Sequence, residues 1–174
     1  MRTRHRRAPA RVDEIKLSVK EQYVRLRKTK RYKEIHNNWK DLGNNSKPYR
    51  DHEIKSFVDY EKKMAAKLRA SKEGEAGDAI IAIGPDKGMS IDAVSVSRDA
   101  ITRANKARLP EKRFLPSFKN SIRKHFNKID RDGLDFVVID FSNIDEFDKI
   151  KIIEYINTEF KAYIKQGRLI KLNE

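Results

Sequence analysis

The chain has 174 residues and a formal net charge of +14 at pH 7. It contains no cysteine, which excludes disulfides and zinc–thiolate sites. It also has no apolar run near the roughly 18 residues of a membrane span and no apolar segment after its cationic start, so neither a membrane span nor a signal peptide is expected. This charge favours polyanionic partners, nucleic acid above all.

The positive charge is unevenly spread along the chain. Residues 1–75 carry a net charge of +11 and residues 98–131 carry +8, whereas residues 132–174 carry −3. This distribution predicts a cationic face for nucleic acid and leaves the opposite face for another partner. Charge alone does not separate a nuclease from a non-catalytic binding protein.

Helical periodicity dominates the first part of the chain. An Arg-rich tail over 1–10 is expected to be disordered, and amphipathic helices are predicted over 11–35 and 51–72, with a loop over 37–52 between them. Basic and aromatic residues interleave over 23–50, which suits phosphate contacts and stacking on unpaired RNA bases. The same pattern is typical of a helix with exposed cations and inward-packed aromatics.

A change of pattern near residue 75 predicts a domain boundary. The polar segment 71–77 separates a basic helical region, 1–75, from an α/β domain, 76–174. In the second region, two apolar segments over 78–84 and 90–97 flank a Gly/Pro turn, which predicts a hairpin.

The rest of the chain alternates between helix and strand. Residues 98–116 predict a short helix and a loop, followed by a helix over 117–130, a strand over 135–141, a long helix over 145–166 and a strand over 168–172. The last three elements form a βαβ unit, for which parallel strands and a right-handed crossover are expected. The predicted fold class is α+β, a basic helical N-terminal half followed by a small mixed sheet. The long helix is expected to turn these residues inward: Phe147, Ile150, Ile153, Phe160 and Ile164.

Several short motifs do not support a familiar active site. The turn Gly84–Gly88 lacks the spacing of a phosphate loop, and no HExxH or GxSxG motif is present. Glu159, Phe160 and Lys161 resemble the acid-x-lysine end of a metal-dependent nuclease motif. They fall in a predicted helix, whereas that chemistry requires a strand.

The strongest site candidate lies between Phe118 and Asn143. His125 sits on or beside the apolar stripe of a basic helix, and Asp140 ends the following strand, where ligands of open α/β sheets bind. The alternative is that His125 is a hydrogen-bonded core residue and Asp140 a helix cap. The cations that flank His125 on its helix are Lys119, Arg123, Lys124 and Lys128.

Asp92 is a second candidate because it interrupts a β-branched strand. A carboxylate on a half-buried sheet surface could bind a metal, orient His125 or point to solvent.

Residues 78–174 resemble a family of C-terminal toxin modules from bacterial contact-dependent growth inhibition and related polymorphic toxin systems. The matching features, in order, are Ser90-Ile91-Asp92, a basic loop, a helix ending in His125-Phe126-Asn127-Lys128, and Asp140-Phe141-Ser142-Asn143 before a helix and a closing strand. Modules of such systems are often nucleases, many of which cut tRNA, and each is held inactive by a cognate immunity protein.

The resemblance and the charge together imply an RNA-cleaving toxin, acting in the cytoplasm of a target bacterium, that uses general acid–base catalysis without a metal cofactor. His125 is assigned as general base or acid, with Asp92 or Asp140 as its orienting or second titratable partner. Two alternatives remain: a non-catalytic nucleic-acid-binding protein of a phage or plasmid, and a DNase in which Asp92 and Asp140 hold Mg²⁺. The expected substrate contacts are Lys119, Arg123, Lys124, Lys128 and Asn143.

Overall fold

The computed structural model describes residues 17–97, 100–101 and 115–174. In these residues it contains six α-helices, five strands and a short 3-10 turn at Leu42–Asn44. In chain order the elements are α1 (Val19–Arg27), α2 (Lys30–Asn38), α3 (Asp51–Met64), β1 (Lys67–Ala70), β2 (Ala79–Ile83), β3 (Ser90–Val94), α4 (Leu115–Asp132), β4 (Phe136–Asp140), α5 (Glu146–Glu159), α6 (Lys161–Lys165) and β5 (Leu169–Leu172).

The five strands form one mixed sheet in the order β1-β2-β3-β4-β5. β1, β2 and β3 pair antiparallel, whereas β3, β4 and β5 run parallel. The predicted fold class and the parallel pairing of the last two strands are therefore confirmed. The right-handed crossover stays a prediction.

Helices cover both faces of the sheet, so β4 is buried on both sides, as its continuous apolar run predicts. On one face, Ile35 of α2 and Phe57 of α3 pack in a cluster with Val138 of β4. On the other face, Phe126 of α4 and Ile156 of α5 pack in a cluster with further residues of β4. Alternate residues of a strand point to opposite faces, which places neighbouring side chains of β3 or β4 under different helices.

The predicted helix over 51–72 is wrong beyond Met64. Ala65 adopts a left-handed conformation (φ 48°), which ends α3, and β1 follows and pairs with β2. Leu68 is buried in the strand, yet it also fits the helical spacing from Met64. The hydrophobic pattern alone therefore could not reveal this short strand.

The predicted single helix over 11–35 is two helices within the described residues. Thr29 separates them: its Oγ1 donates to the Leu26 carbonyl at 2.7 Å and accepts from the Tyr32 amide at 3.3 Å, which caps α2. Residues 11–16 of that prediction lie outside the described part, as do residues 1–10 and most of 98–116.

The predicted helix over 145–166 is interrupted at Phe160, and two of its five predicted inward residues are wrong, whereas Ile153, Phe160 and Ile164 do pack against the core. Phe147 and Ile150 are 49% and 53% exposed, whereas Ile152 and Ile156 are buried. The helix carries apolar residues on more than one side, so spacing identified only part of the face that packs inward.

β1 and β2 pair across the predicted boundary between 1–75 and 76–174, and that division stays a prediction. Within the part of the chain that the structure describes, no helix is long and apolar enough to cross a membrane.

Candidate active site

The candidate site begins where β2 and β3 separate. Asp78, just before β2, donates its amide to the Ile91 carbonyl at 2.9 Å, and the chain turns away at Gly77 (φ +79°). A Cβ on Gly77 would lie 2.7 Å from the Ile91 carbonyl oxygen, which is closer than a Cβ atom approaches a neighbouring atom in real proteins. Glycine therefore lets this loop approach β3, which places Asp78 close to Asp92.

The two aspartates form an acidic pair inside the protein. The Asp92 side chain is fully buried on β3, and its Oδ1 has no hydrogen-bond partner among the described residues. Burial, together with the neighbouring carboxylate of Asp92, holds the pKa of Asp78 well above its usual value. Asp78 therefore keeps its proton to a higher pH than an ordinary aspartate.

Lys128 of α4 balances this acidic pair. Its Nζ donates to Asp92 Oδ2 at 2.7 Å. Burial alone would lower the pKa of Lys128, but the nearby carboxylates of Asp92 and Asp78 outweigh it and raise the pKa. Lys128 therefore carries its positive charge at neutral pH.

His125 lies one helical turn before Lys128 and faces the same strand. Its Nδ1 is 2.7 Å from the Ser121 carbonyl oxygen, and its Nε2 is 4.0 Å from Asp92 Oδ2. A carbonyl oxygen only accepts hydrogen bonds, so Nδ1 carries the proton and Nε2 of the neutral ring holds a lone pair. Burial lowers the pKa of His125, although Asp92 partly opposes the shift. The neutral ring can thus accept a proton at Nε2.

A cleft of ≈ 280 Å³, which we call the histidine cleft, opens beside His125. The first turn of α3 also lines this cleft and contributes a second histidine, His52. Arg50 and Lys128 supply cations. A second cleft of ≈ 530 Å³ adjoins it and shares Asp78 and Lys128. The residues that line the histidine cleft are Asp41, Gly43, Arg50, His52, Glu53, Asp78, Ala93, Val94, Ser95, Ser121, His125 and Lys128.

Asp140 lies elsewhere, on the face of the sheet that α3 covers. It accepts hydrogen bonds from Ser56 Oγ at 2.9 Å, from the Ser142 amide at 2.9 Å and from Asn173 Nδ2 at 3.0 Å. Asn143 forms a reciprocal amide pair with Gln22. The structure does not bring Asp140 or Asn143 into the histidine cleft.

The four predicted cations of α4 are also distributed around the helix. Lys128 lines the cleft, whereas Lys119 Nζ lies 5.3 Å from the centre of the Tyr155 ring, on the side that faces α5. Arg123 and Lys124 are exposed. Only Lys128 is in contact with the acidic pair.

Two residues of the cleft, His52 and Asp78, were missed by the sequence reasoning. Asp78 directly precedes an apolar strand, a signal that could have singled it out, but nothing in the spacing connects His52 with His125. In the described ranges, no group of three or more His, Asp or Glu side chains has the arrangement of a metal site.

Comparison with known proteins places the chain in a family. A solved structure with a similar fold is the CdiA-CT toxin from Burkholderia pseudomallei E479 in complex with its cognate CdiI immunity protein, with a TM-score of 0.52 and 20% identity over 70% of this chain and 97% of that chain. No curated protein matches. The family model of the CdiA C-terminal tRNase domain matches residues 52–171, well over half of the sequence. The chain therefore belongs to the CdiA C-terminal tRNase domain family, the tRNA-cleaving toxin modules of contact-dependent growth inhibition.

Proposed function

We propose that this toxin module cleaves tRNA by general acid–base catalysis in the histidine cleft, without a metal cofactor. The observation that carries the proposal is His125, whose Nδ1–H is fixed by the Ser121 carbonyl and whose Nε2 is left to accept a proton. Family membership supports the substrate, and the net charge of +14 supports binding to a polyanion.

In this proposal, His125 Nε2 removes the proton of a ribose 2′-hydroxyl, and the resulting oxygen attacks the adjacent phosphorus. Lys128 and Arg50, which line the cleft, stabilise the negative charge that develops on the phosphate oxygens. Asp92 acts as a positioning residue because it holds Lys128 and lies beside the imidazole. Of the two aspartates predicted as partners of His125, Asp92 is the one in reach.

The remaining basic residues would contact the substrate away from the reacting phosphate. A tRNA is far larger than the cleft, so the exposed cations Arg123 and Lys124 can meet other phosphates along its backbone. Lys119, half-buried beside Tyr155, would also meet a phosphate outside the cleft. Asn143, at its separate location, would contact a more distant nucleotide.

We infer that this chain also has a cognate immunity protein and acts in the cytoplasm of a target bacterium. The similar solved toxin is in complex with its CdiI protein. The acidic C-terminal part of this chain, residues 132–174, offers a surface that differs in charge from the basic substrate-binding part.

A second candidate mechanism uses a divalent cation. It is favoured by the buried Asp92 Oδ1, which lacks a partner among the described residues, and by the nearby carboxyl of Asp78. One or two carboxylates together with substrate phosphates are a common Mg²⁺ environment. Asp92 and Asp140 point to opposite faces of the sheet, so the cation would lie between Asp78 and Asp92.

Cleavage assays with end-group analysis test both mechanisms. Purified protein is incubated with total tRNA and with plasmid DNA, each with and without EDTA. We expect tRNA to be cut equally with EDTA, leaving a 2′,3′-cyclic phosphate and a 5′-hydroxyl, and DNA to stay intact because it lacks the 2′-hydroxyl. Loss of cleavage in EDTA would support the cation mechanism, and binding without cleavage would support a non-catalytic protein.

The variant His125→Ala is expected to reduce tRNA cleavage by roughly 10²–10⁴-fold, the usual contribution of a positioned proton-transfer group. Its melting temperature and tRNA affinity should remain close to those of the unchanged protein. A destabilised variant with proportionate activity would instead indicate a structural role for His125.

A further inference from the structure

A second polar cleft opens at the ends of β4 and β5, and we call it the amide cleft. It has a volume of ≈ 400 Å³, and among the described residues it shares none with the histidine cleft. The segments that follow β4 and β5 form part of its wall, and Gln22 of α1, Lys55 of α3 and Lys149 of α5 also line it. The amide cleft is therefore a separate place at which the substrate can meet the protein.

The two clefts open at the same edge of the sheet. β3, β4 and β5 are parallel, so their carboxyl ends share one edge, where ligands of open α/β sheets bind. Ser95, after β3, lines the histidine cleft, whereas Ser142, after β4, and Asn173, after β5, line the amide cleft. Neighbouring strands lie about 4.8 Å apart, so the amide cleft begins roughly 5–10 Å along the edge from the end of β3. A polynucleotide that advances by about 3.4 Å per nucleotide covers this distance in about three nucleotides.

The distinctive feature of the amide cleft is a pair of carboxamides from distant parts of the chain. Gln22 Nε2 donates to Asn143 Oδ1 at 2.9 Å, and Asn143 Nδ2 donates to Gln22 Oε1 at 3.1 Å. Both residues are half-buried. Asn143 does not cap the helix that follows it, because the Asp145 side chain accepts the Asp148 amide at 2.9 Å and caps α5. The Asn143 amide is therefore available to a ligand without loss of the cap.

A carboxamide has the hydrogen-bonding pattern that recognises a nucleobase. It places one acceptor beside one donor, and nucleobases carry the complementary pair along an edge. Asn and Gln side chains bind base edges through two such bonds. The loops of an RNA expose these edges on unpaired nucleotides. A base that enters the cleft can therefore take the place of Gln22 as the partner of Asn143.

The other residues of the amide cleft also suit a nucleotide. Leu17 and Ile144 supply apolar surface for the ring of a base. Lys149 Nζ lies 3.4 Å from the carboxylate of the exposed Glu146, a contact weak enough to be exchanged for a phosphate. Lys55 is held more firmly, because its Nζ donates to Asp59 at 2.6 Å and to Ser142 at 2.7 Å. Lys149 is therefore the cation that would meet the phosphate of the bound nucleotide.

We propose that the amide cleft is a base-recognition subsite, which takes one unpaired nucleotide of the tRNA close to the cut bond and pairs Asn143 with the edge of its base. The proposal rests on tRNA cleavage in the histidine cleft, as proposed above, and it holds whether or not a cation takes part in that cleavage. The subsite would give the module a preference for the sequence around the bond that it cuts.

The test compares cleavage of tRNAs that differ by one base. The cut bond is first mapped in total tRNA with the unchanged protein. Each of the three nucleotides on either side is then changed in turn to the other three bases, and kcat/KM is measured for every tRNA. We expect the unchanged protein to prefer one base at one of these positions by about 5–150-fold, the discrimination that a two-bond base contact supplies.

Asn143→Gly removes the carboxamide and keeps the left-handed backbone of this residue (φ 62°). The preference at that position should fall to near unity, while the tRNAs with disfavoured bases should be cut at nearly the rate of the unchanged protein. If Asn143→Gly fails to fold, Asn143→Asp is measured in its place. It keeps the bond accepted from Gln22 and loses the donor, so it should change which base is preferred.

Asn45→Gly is the matched control, because Asn45 is also left-handed (φ 56°), is exposed and lines neither cleft. It should keep both the rate and the base preference of the unchanged protein. His125→Ala should slow the cleavage of all tRNAs alike and leave the preference intact, which separates recognition from chemistry.

Two results would overturn the subsite: the unchanged protein shows no base preference at the tested positions, or the Asn143 variant slows the cleavage of every tRNA by the same factor. The second result, together with a lower melting temperature, would mean that the amide pair only holds α1 in place. In both cases the unchanged protein still cuts tRNA, so the proposed function would survive. An unchanged protein that cuts no tRNA would overturn the proposed function itself, and the subsite with it.

Discussion

The Ser121 carbonyl decides which nitrogen of His125 can act as a base. It lies one helical turn before the histidine and binds Nδ1, so the helix itself sets the tautomer. The polar partner of the ring is therefore supplied by the backbone, whereas Asp92, 4.0 Å away, influences the ring mainly through its charge.

This environment predicts the pH dependence of cleavage. Burial lowers the pKa of His125 below its ordinary value of 6.5, so the ring stays neutral, as the proposed base must be, to a lower pH than a free histidine. In a pH–rate profile, kcat/KM should therefore fall on the acidic side with an apparent pKa below 6.5. The free energy of unfolding should also decrease as the pH falls through this range, because the unfolded chain binds this proton at a higher pH than the folded chain does.

An acidic limb with an apparent pKa above 6.5 would contradict this assignment. The variant His125→Ala serves as the control, since its residual activity should no longer show this limb.

The sequence singled out part of the candidate site because three residues carry signals in their own elements. His125 and Lys128 share a helix face at the spacing of one turn, and Asp92 interrupts an apolar strand. Asp78 and His52 join them only because β2 and β3 separate and α3 docks across the end of β3. Neither event leaves a periodic pattern in the sequence.

At the scale of elements, hydrophobic spacing predicted β2 to β5 but missed the points where α1, α3 and α5 end. The predicted βαβ unit is correct because β4 is a continuous apolar run and Gly167 (φ 73°) ends the preceding helical segment. The ends of α1 and α3 depend instead on the conformation of single residues, Thr29 and Ala65. A change of backbone direction at one residue leaves the apolar pattern on either side intact.

The corner between α3 and β1 allows a paired stability test. Ala65 is left-handed, which disfavours any residue with a Cβ, so Ala65→Gly should stabilise the fold by about 0.5–1 kcal/mol. Gly84→Ala should destabilise it by roughly 1–3 kcal/mol, because Gly84 has φ +112° and a Cβ there would lie 3.0 Å from the Ala65 carbonyl oxygen.

Denaturant titrations of both variants measure these changes. Equal stability of the two variants would contradict the role assigned to this corner. Cleavage rates serve as the control and should be unaffected, because neither residue lines the histidine cleft.

At the scale of the whole molecule, the basic N-terminal half is part of the core. Ile35 and Trp39 are buried in the cluster that also holds Val138 of β4, and Arg31 lies over the Trp39 ring at 5.5 Å. Removing residues 1–50 would therefore expose the sheet as well as remove charge. The contribution of charge to nucleic-acid binding is better tested by deleting residues 1–16. This segment contains six Lys and Arg residues and two Asp and Glu residues.

Deleting residues 1–16 should weaken tRNA binding and reduce the slope of log affinity against log salt, because fewer counterions are released on binding. The melting temperature of the truncated protein, measured alongside, separates a loss of charge from a loss of stability. Titrations at several salt concentrations measure the slope, and an unchanged slope would show that these cations do not contact the nucleic acid.

The residues that line the histidine cleft extend from Asp41 to Lys128, and they meet only when α3 and α4 are both docked on the sheet. A partly folded chain in which α4 alone has packed would hold His125 but would lack the part of the cleft that α3 supplies. The complete cleft therefore exists only in a chain that has docked both helices on the sheet. A chain that is synthesised or moved in an unfolded state spares the tRNA around it until folding is complete.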